Sequence, residues 1–227
     1  MDLVFLVDGT YTVGIATFNV IMAQIKDLVN EYEIGPDDVQ VAVAVYGREL
    51  HDQFQLNDHL TKTELFAAID GLSYPAGLTN TGNVLTETAT TKFTPSAGRR
   101  ENVPAITVLF ADGTSSDLDG PAASLQAVST VIALGFGGAL VDTDVIATGP
   151  EYANRVYDAS ELSALFNFTA DLLCEIGRTY CEGTHDHKTL DCYKALWEKS
   201  NCTEDGYSFP DNLTATEIAN LDAMRTE

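Results

Sequence analysis

Five oxygen-bearing side chains have the types and spacing of a metal site. They are Asp8, Thr10, Thr12, Thr79 and Asp112. All five are hard oxygen donors, which suit Mg²⁺, Mn²⁺ or Ca²⁺ and disfavour zinc. In the segment DGTYT the alternating spacing lets residues 8, 10 and 12 point toward one centre, and Gly9 removes side-chain bulk from the turn. With only two carboxylates in the set, a six-coordinate ion keeps an open position that an external carboxylate can occupy.

The elements that must position these residues follow an alternating pattern. Apolar runs over residues 3–7 and 106–111 are typical of buried parallel strands, and each run stops on one of the two aspartates. Further strands are predicted over 39–46, 131–136 and 155–157, with an antiparallel edge strand over 49–56. Helices are predicted over 15–32, 61–69, 82–93, 118–128 and 160–176. This order favours a doubly wound α/β fold, a mostly parallel sheet with helices on both faces, in which ligands bind at the carboxyl ends of strands.

The composition restricts the partners. The chain has 227 residues with 34 acidic and 12 basic side chains, a formal net charge of −22. Such acidity argues against binding nucleic acid or an anionic membrane surface. No run of roughly 18 apolar residues occurs, so we expect no membrane insertion. The expected partners are cations or basic surfaces.

Three segments in this order and spacing resemble the von Willebrand factor A domain, including the I domains of integrins. They are VFLVDGTYTVG, GLTNTG and FADGTSSD. The resemblance extends over roughly residues 2–174 and includes the segments IGPDDVQVAVAVYG and VYDASELSALF. It implies that the five residues above form a metal-ion-dependent adhesion site. The ion's free position would accept a Glu or Asp of a ligand protein such as a collagen or another matrix component.

This chain departs from the family's motif at two points. Thr10 and Thr12 stand where serines are usual, and Ala111 replaces the threonine before Asp-Gly. The extra methyl groups restrict the rotamers of residues 10 and 12, so we expect weak binding of Mg²⁺ in the absence of ligand. Alternatively, the aspartates could cap helices and the threonines could satisfy loop amides.

Three more residues beside these loops are candidates for ligand contact. They are Tyr11, Tyr74 and Thr81. Tyr11 lies within the metal loop and Tyr74 just before Pro75, so both could line the ligand face, although tyrosines at such positions also pack internally. Thr81 is the alternative hydroxyl to Thr79, and the resemblance favours Thr79 as the direct metal ligand.

The last quarter of the chain has a different composition. We predict a domain over residues 1–176 and a small, disulfide-linked extension over 177–227, with helices over 190–199 and 215–224. The cysteines are Cys174, Cys181, Cys192 and Cys202, and N-glycosylation sequons begin at Asn167, Asn201 and Asn212. An even, local set of cysteines beside sequons indicates a secretory route. The alternative is a zinc site formed by Cys181, His185, His187 and Cys192.

These features predict a secreted or cell-surface adhesion module of the matrix that binds a protein through a divalent ion. The alternative is an acidic structural protein of an extracellular matrix or mineralised tissue, which binds cations diffusely and has a degenerate metal site. Catalysis is not expected, because the sequence has neither a nucleophile with a positioned histidine nor a phosphate-binding glycine motif.

Overall fold

A mixed six-stranded sheet forms the centre of the computed structural model, which describes residues 1–113, 117–137, 142–157 and 159–183. The strands are β1 (Asp2–Asp8), β2 (Gln40–Tyr46), β3 (Leu50–Phe54), β4 (Ala105–Ala111), β5 (Thr130–Phe136) and β6 (Ala153–Val156). Their spatial order is β3-β2-β1-β4-β5-β6. Only β3 runs antiparallel to its neighbour. The predicted doubly wound sheet with one antiparallel edge strand is confirmed.

Helices cover both faces of this sheet. They are α1 (Gly14–Asn30), α2 (Lys62–Gly71), α3 (Thr81–Thr91), α4 (Asp119–Gln126), α5 (Thr143–Ile146) and α6 (Leu162–Gly183). The helices α1, α2 and α6 pack on the face that includes Phe5 and Phe110. The helices α3, α4 and α5 pack on the other face, which includes Leu6 and Ala133. Each face therefore has its own apolar core.

The strands β1, β2, β4 and β5 are mostly apolar because both faces are covered. All residues of β1, β2 and β4 are buried, and alternate side chains serve the two cores. The chain leaves β1 through α1 on one face and leaves β4 through α4 on the other. Because β1 and β4 are neighbours, this is the topological switch point of the sheet, where a crevice forms at the carboxyl ends of the strands.

The amino end of β1 is fixed by a buried ion-pair cluster. Asp2 is fully buried, and its carboxylate accepts hydrogen bonds from Arg99 at 3.0 Å and from Nε of Arg100 at 2.8 Å. Arg100 also donates to the carbonyls of Pro36 and Asp38, each at 2.8 Å. A buried carboxylate needs such partners because an unpaired buried charge is strongly destabilising. The cluster holds one end of β1 while the other end carries Asp8.

Several element boundaries differ from the predicted ones. The strand predicted over 155–157 begins earlier, at Ala153, because it pairs with β5 from Ala133 onward. The four-residue helix α5 was not expected from a segment with so little periodicity. Helix α6 continues to Gly183 instead of ending at residue 176. It passes the predicted domain boundary without a break, and that boundary stays a prediction.

Most of the predicted extension lies outside the described residues. This includes the helices predicted over 190–199 and 215–224. Across the described part of the chain, no helix combines the length and apolar character needed to span a bilayer.

Candidate metal centre

Two carboxylates meet where the neighbouring strands β1 and β4 end. Asp8 is the last residue of β1, and Asp112 directly follows β4. Both side chains are buried. The two carboxylates are close enough for the charge of Asp112 to act on Asp8. The parallel pairing of the strands thus brings together two residues that are 104 positions apart in the sequence.

The electrostatics of this pair favour a cation. Burial, with a smaller contribution from the charge of Asp112, raises the pKa of Asp8 to about 7 against the opposing effect of Thr10. Beneath the pair, burial and the two carboxylates raise the pKa of Tyr46 well above its ordinary value. The Tyr46 hydroxyl lies 3.5 Å from Oδ2 of Asp8. A nearby positive charge would favour the ionised form of both carboxylates.

The loop after β1 brings two hydroxyls to the same place. The Thr10 amide donates to Oδ1 of Asp8 at 2.9 Å, which folds the loop back over the carboxylate. The Thr10 hydroxyl lies 3.2 Å from the hydroxyl of Thr12. Thr10 is buried, whereas Thr12 is exposed. A hydroxyl that donates its proton to another oxygen still has lone-pair density to offer to an ion.

A tight glycine contact allows this loop to pass between its neighbours. A Cβ atom on Gly9 would lie 2.7 Å from Cδ of Pro75 and 2.7 Å from Cγ1 of Val45. Real Cβ atoms do not approach other atoms so closely, so only glycine fits without rearrangement. The sequence predicted the need for a small residue here but not its neighbours.

The loop of Thr79 is joined to the loop of Thr10 by main-chain hydrogen bonds. The amide of Tyr11 donates to the Gly77 carbonyl at 3.1 Å, and the amide of Gly77 donates to the Gly9 carbonyl at 3.3 Å. Thr79 follows two residues later and is half-buried. These contacts bring the loop of Thr79 beside the loop of Thr10, which is the arrangement that a site shared between them requires.

Thr81 differs from Thr79 in its environment. Thr81 is the first residue of α3 and is fully buried. Among the described residues its hydroxyl has no hydrogen-bond partner. A fully buried side chain cannot touch the surface of a ligand protein without local opening. Ligand contact by Thr81 stays a prediction that requires such opening.

The two tyrosines predicted at the ligand face have different surroundings. The side chain of Tyr11 is 68% exposed and projects from the metal loop. Tyr74 is half-buried, its ring lies against Phe18 with centroids 5.3 Å apart, and its hydroxyl donates to the Thr10 carbonyl at 2.6 Å. Tyr11 is therefore available to a ligand in this conformation, whereas Tyr74 is occupied in holding the loop.

The donor set fits a hard divalent cation. The described residues contain no group of three or more His, Cys, Asp or Glu side chains that could bind a metal. Two buried carboxylates and neighbouring threonine hydroxyls are all oxygen donors, and such sets match Mg²⁺, Mn²⁺ or Ca²⁺. The raised pKa of Asp8 supports the same conclusion, because it records an unfavourable carboxylate charge that a cation would offset.

Two contributors to the site were missed by the sequence analysis. Tyr46 pairs with Asp8 across β1 and β2, and its hydroxyl reaches both Asp8 and the Phe110 carbonyl, the latter at 3.4 Å. Pro75 packs on Gly9. The signal for Tyr46 was a polar aromatic residue ending an otherwise apolar strand, and such a residue usually has a hydrogen-bond partner when buried.

Residues predicted for covalent modification lie mainly beyond this site. Cys174, on α6, is disulfide-bonded, and the side chains of Cys181, Cys192 and Cys202 are outside the described part. Asn167 is exposed on α6, while the sequon residue Thr169 is buried and donates to the Leu165 carbonyl at 2.8 Å. Asn201 and Asn212 are also outside it. Disulfide pairing and glycosylation stay predictions.

A family profile decides the classification. The profile of the von Willebrand factor type A domain matches residues 2–171. The chain belongs to this family. The predicted resemblance is confirmed, and the aspartate pair at the switch point lies inside the matched range of this von Willebrand factor type A domain.

Relatives of this von Willebrand factor type A domain include collagens. The chain is 39% identical over 116 residues to the collagen α1(XII) chain of Notophthalmus viridescens, a match that covers 51% of this chain and 12% of that one. It is 31% identical over 179 residues to the human collagen α1(XX) chain, covering 77% of this chain and 14% of the relative. These relatives are secreted matrix proteins, in agreement with the expected extracellular location. The chain corresponds to only a small part of each.

Solved structures add a similar matrix protein. Proximal thread matrix protein 1 from the mussel byssus superimposes with a TM-score of 0.71 at 26% identity, over 76% of this chain and 48% of that protein. Another structure of it, with a zinc-occupied adhesion motif, superimposes with a TM-score of 0.70 at 25% identity, over 76% of this chain and 48% of that one. This von Willebrand factor type A domain therefore resembles one whose adhesion motif holds a divalent metal.

Proposed function

We propose that this chain is an adhesion module of the extracellular matrix that binds a protein ligand through one divalent ion. The observation that carries the proposal is the buried aspartate pair at the ends of β1 and β4, in which the charge of Asp112 acts on Asp8. The hydroxyls of Thr10 and Thr12 lie on the adjoining loop, 3.2 Å apart. The family relationship over residues 2–171 supports the same reading.

Each proposed ligand residue has a distinct role. Asp8 and Asp112 would supply the negative charge that holds the ion. Thr10, Thr12 and Thr79 would supply neutral oxygens, so the two aspartates alone balance the charge of the ion. A bound Mg²⁺, Mn²⁺ or Ca²⁺ supplies Lewis acidity toward one carboxylate oxygen of a partner. The partner's Glu or Asp would therefore complete the coordination shell.

Exposed apolar side chains around the site would contact the rest of the ligand. Tyr11 is 68% exposed, and Leu78, on the adjoining loop, is 54% exposed. The hydrogen bond from Tyr11 to Gly77 brings these two residues to the same edge. Ile15, at the start of α1, is also exposed. Exposed apolar groups that cluster beside a polar site are typical of interaction surfaces. A collagen or another matrix protein is the proposed partner.

We propose a binding role and not a catalytic one. The relatives are structural matrix proteins. The donors at the aspartate pair are carboxylates and hydroxyls, and neither a histidine nor a cysteine belongs to the proposed set. An ion held by two aspartates and neutral hydroxyls, with one position open for a further carboxylate, suits reversible capture of an acidic side chain.

A second candidate is supported by the charge and by one relative. A net charge of −22 would organise cations diffusely, as in an acidic structural component of a matrix. The similar mussel protein is itself called a thread matrix protein. In this alternative the aspartate pair is degenerate and removing one aspartate leaves matrix binding unchanged.

Binding to immobilised fibrillar collagen, with and without EDTA, tests the adhesion proposal. The expected result is binding in Mg²⁺ or Mn²⁺ that chelation abolishes and that Asp112→Ala also abolishes. Asp27→Ala is the matched control, because Asp27 is an exposed carboxylate on α1, and it should bind as the wild type does. Circular dichroism and thermal unfolding check that the variants fold. Binding that survives both chelation and Asp112→Ala contradicts the ion-bridged mechanism.

A further inference from the structure

The hydroxyl of Tyr74 connects two points of the loop that leads from β1 to α1. It donates to the Thr10 carbonyl at 2.6 Å and accepts a hydrogen bond from the Gly14 amide at 3.1 Å. Tyr74 lies 60 or more residues away from both partners in the sequence. One phenol therefore spans the segment that contains Thr10 and Thr12.

The bond to Gly14 gives the first amide of helix α1 an acceptor. Helix α1 begins at Gly14, and the capping position before it is Val13, whose side chain makes no cap hydrogen bond. The first amides of a helix need an acceptor from outside the helix. A capping serine, threonine, asparagine or aspartate would serve the second or third of these amides and not that of Gly14. Because the acceptor for Gly14 comes from a distant tyrosine, the start of α1 depends on the position of Tyr74.

The residues after Tyr74 continue the same contact. Pro75 packs against Gly9, and Gly77 exchanges main-chain hydrogen bonds with Gly9 and Tyr11. Thr79 follows on the same segment. The segment of residues 74–79 therefore lies along the metal loop from Gly9 to Gly14 and carries a further proposed metal ligand at its end.

We infer that Tyr74 is a positioning residue for the metal site, a role that rests on the proposed metal-dependent function. Its hydroxyl fixes the peptide of Thr10 and the start of α1, and the loop between them carries Thr12. Its ring is held against Phe18 of α1, so the phenol has little freedom to move. Without the hydroxyl, Thr10 and Thr12 sample more conformations, and an ion must pay the cost of ordering them when it binds.

The variant Tyr74→Phe tests this role because it removes both hydrogen bonds and keeps the ring. Calorimetric titration with Mn²⁺ alone should show an affinity about 5- to 10-fold weaker than that of the wild type, the factor expected for loss of a hydrogen bond or two. Hydrogen exchange without metal should show faster exchange of the Gly14 amide in the variant. Amides in the middle of α1, such as that of Ile25, should be unchanged.

Two control variants separate positioning from general stability. Tyr32→Phe removes the hydroxyl of a buried tyrosine beyond the far end of α1, and Ile25→Val weakens the core beneath α1. Both should leave Mn²⁺ affinity within about 2-fold of the wild type even if they lower the melting temperature.

Two outcomes overturn this inference. If wild type binds Mn²⁺ and Tyr74→Phe binds it equally well, the positioning role is wrong while the proposed function stands. If wild type binds no Mn²⁺, the proposed function fails and this role of Tyr74 fails with it.

Discussion

Asp8 ends β1 and Asp112 directly follows β4, the neighbouring parallel strand, so the two buried carboxylates lie close enough for the charge of Asp112 to raise the pKa of Asp8. This arrangement sets two negative charges close together in a buried crevice. Mainly because of burial, the pKa of Asp8 is raised to about 7, so its ionised form is unfavourable here. A divalent ion held between the strand ends would stabilise the ionised form, and this stabilisation is the physical basis of the proposed site.

Because of the close contact at Gly9, we expect two glycine substitutions to differ strongly in their effect on stability. Gly9→Ala should lower the free energy of unfolding by about 1–3 kcal/mol, the usual cost of an overpacked site, because the new Cβ would meet Pro75 and Val45 at 2.7 Å. Gly120→Ala is the control, since its Cβ would meet nothing within 4 Å. It lies in α4 and should be neutral or stabilising by about 0.5 kcal/mol. Urea unfolding measures both, and equal effects would contradict the described packing.

Most of the fold could be predicted from the sequence because its strands are buried on both sides. β1, β2, β4 and β5 appear as continuous apolar runs, and their predicted limits differ from the observed ones by at most one residue. The short elements could not be predicted. Helix α5 has four residues, too few to show a period, and β6 is defined by its pairing with β5.

The positions of the two aspartates at strand ends could be predicted from the sequence, whereas the residues that support them could not. Asp8 and Asp112 stand out because each ends an apolar run. The roles of Tyr74 and Tyr46 depend on contacts between residues 38 to 64 positions apart, which no local pattern contains. From the sequence, a tyrosine next to a proline is expected at the surface near the loop. The sequence does not show that its hydroxyl points inward.

Because Thr10 and Thr12 carry extra methyl groups, we expect their replacement by serine to raise the affinity for Mg²⁺. The double variant Thr10→Ser with Thr12→Ser should bind Mg²⁺ about 2- to 10-fold more tightly, which corresponds to relief of ~0.5–1.5 kcal/mol of side-chain strain. Ca²⁺ affinity should change less, because Ca²⁺ tolerates irregular geometry. Calorimetry measures both, with Thr90→Ser on the exposed face of α3 as control. Equal or weaker Mg²⁺ binding by the double variant means that the methyl groups are accommodated.

Lys92 predicts a specific pH dependence of stability. Its side chain is fully buried and donates to the Phe54 carbonyl at 3.0 Å. Burial lowers the pKa of Lys92 to about 8, partly opposed by the charges of Asp58 and Glu87. In the unfolded chain this lysine has its ordinary pKa of about 10.4, so above pH 8 the unfolded chain binds more protons than the folded one. Lys92 therefore makes stability rise with pH in that range, by at most about 1.4 kcal/mol per pH unit.

The comparison with Lys92→Met isolates this contribution. Urea unfolding between pH 7.5 and 9.5 should show a steeper rise in the wild type than in the variant. The range stops below pH 10 because tyrosines of the unfolded chain ionise above it. Burial raises the pKa of Tyr32 and Tyr46 in the folded state, so their ionisation lowers stability as the pH rises. If the stability of the two proteins rises equally with pH, burial of the Lys92 charge does not destabilise the folded state.

Helix geometry restricts the disulfide pairing. Cys174 and Cys181 both lie in α6, and seven residues of α-helix span about 10.5 Å, beyond the roughly 4.4–6.8 Å between the Cα atoms of a disulfide. Cys174 is disulfide-bonded, so we predict pairing with Cys192 or Cys202. Loss of that bond should cost about 2–5 kcal/mol locally.

Peptide mapping under non-reducing conditions checks this pairing, since trypsin cuts after Arg178, between the first two cysteines. No free thiol should be found. A bond between Cys174 and Cys181 would contradict the continuous helix. Four alkylated cysteines would overturn the disulfide prediction and favour the zinc alternative at Cys181, His185, His187 and Cys192.

The stoichiometry of Mn²⁺ binding tests the central claim most directly. Calorimetric titration of the wild type should resolve one site per chain that is distinct from weak binding to the acidic surface. Asp112→Ala should lose that site, and Asp27→Ala should retain it, because only Asp112 belongs to the buried pair with Asp8. Many weak sites with no resolved tight one, or a single site that survives Asp112→Ala, would contradict a metal centre between β1 and β4.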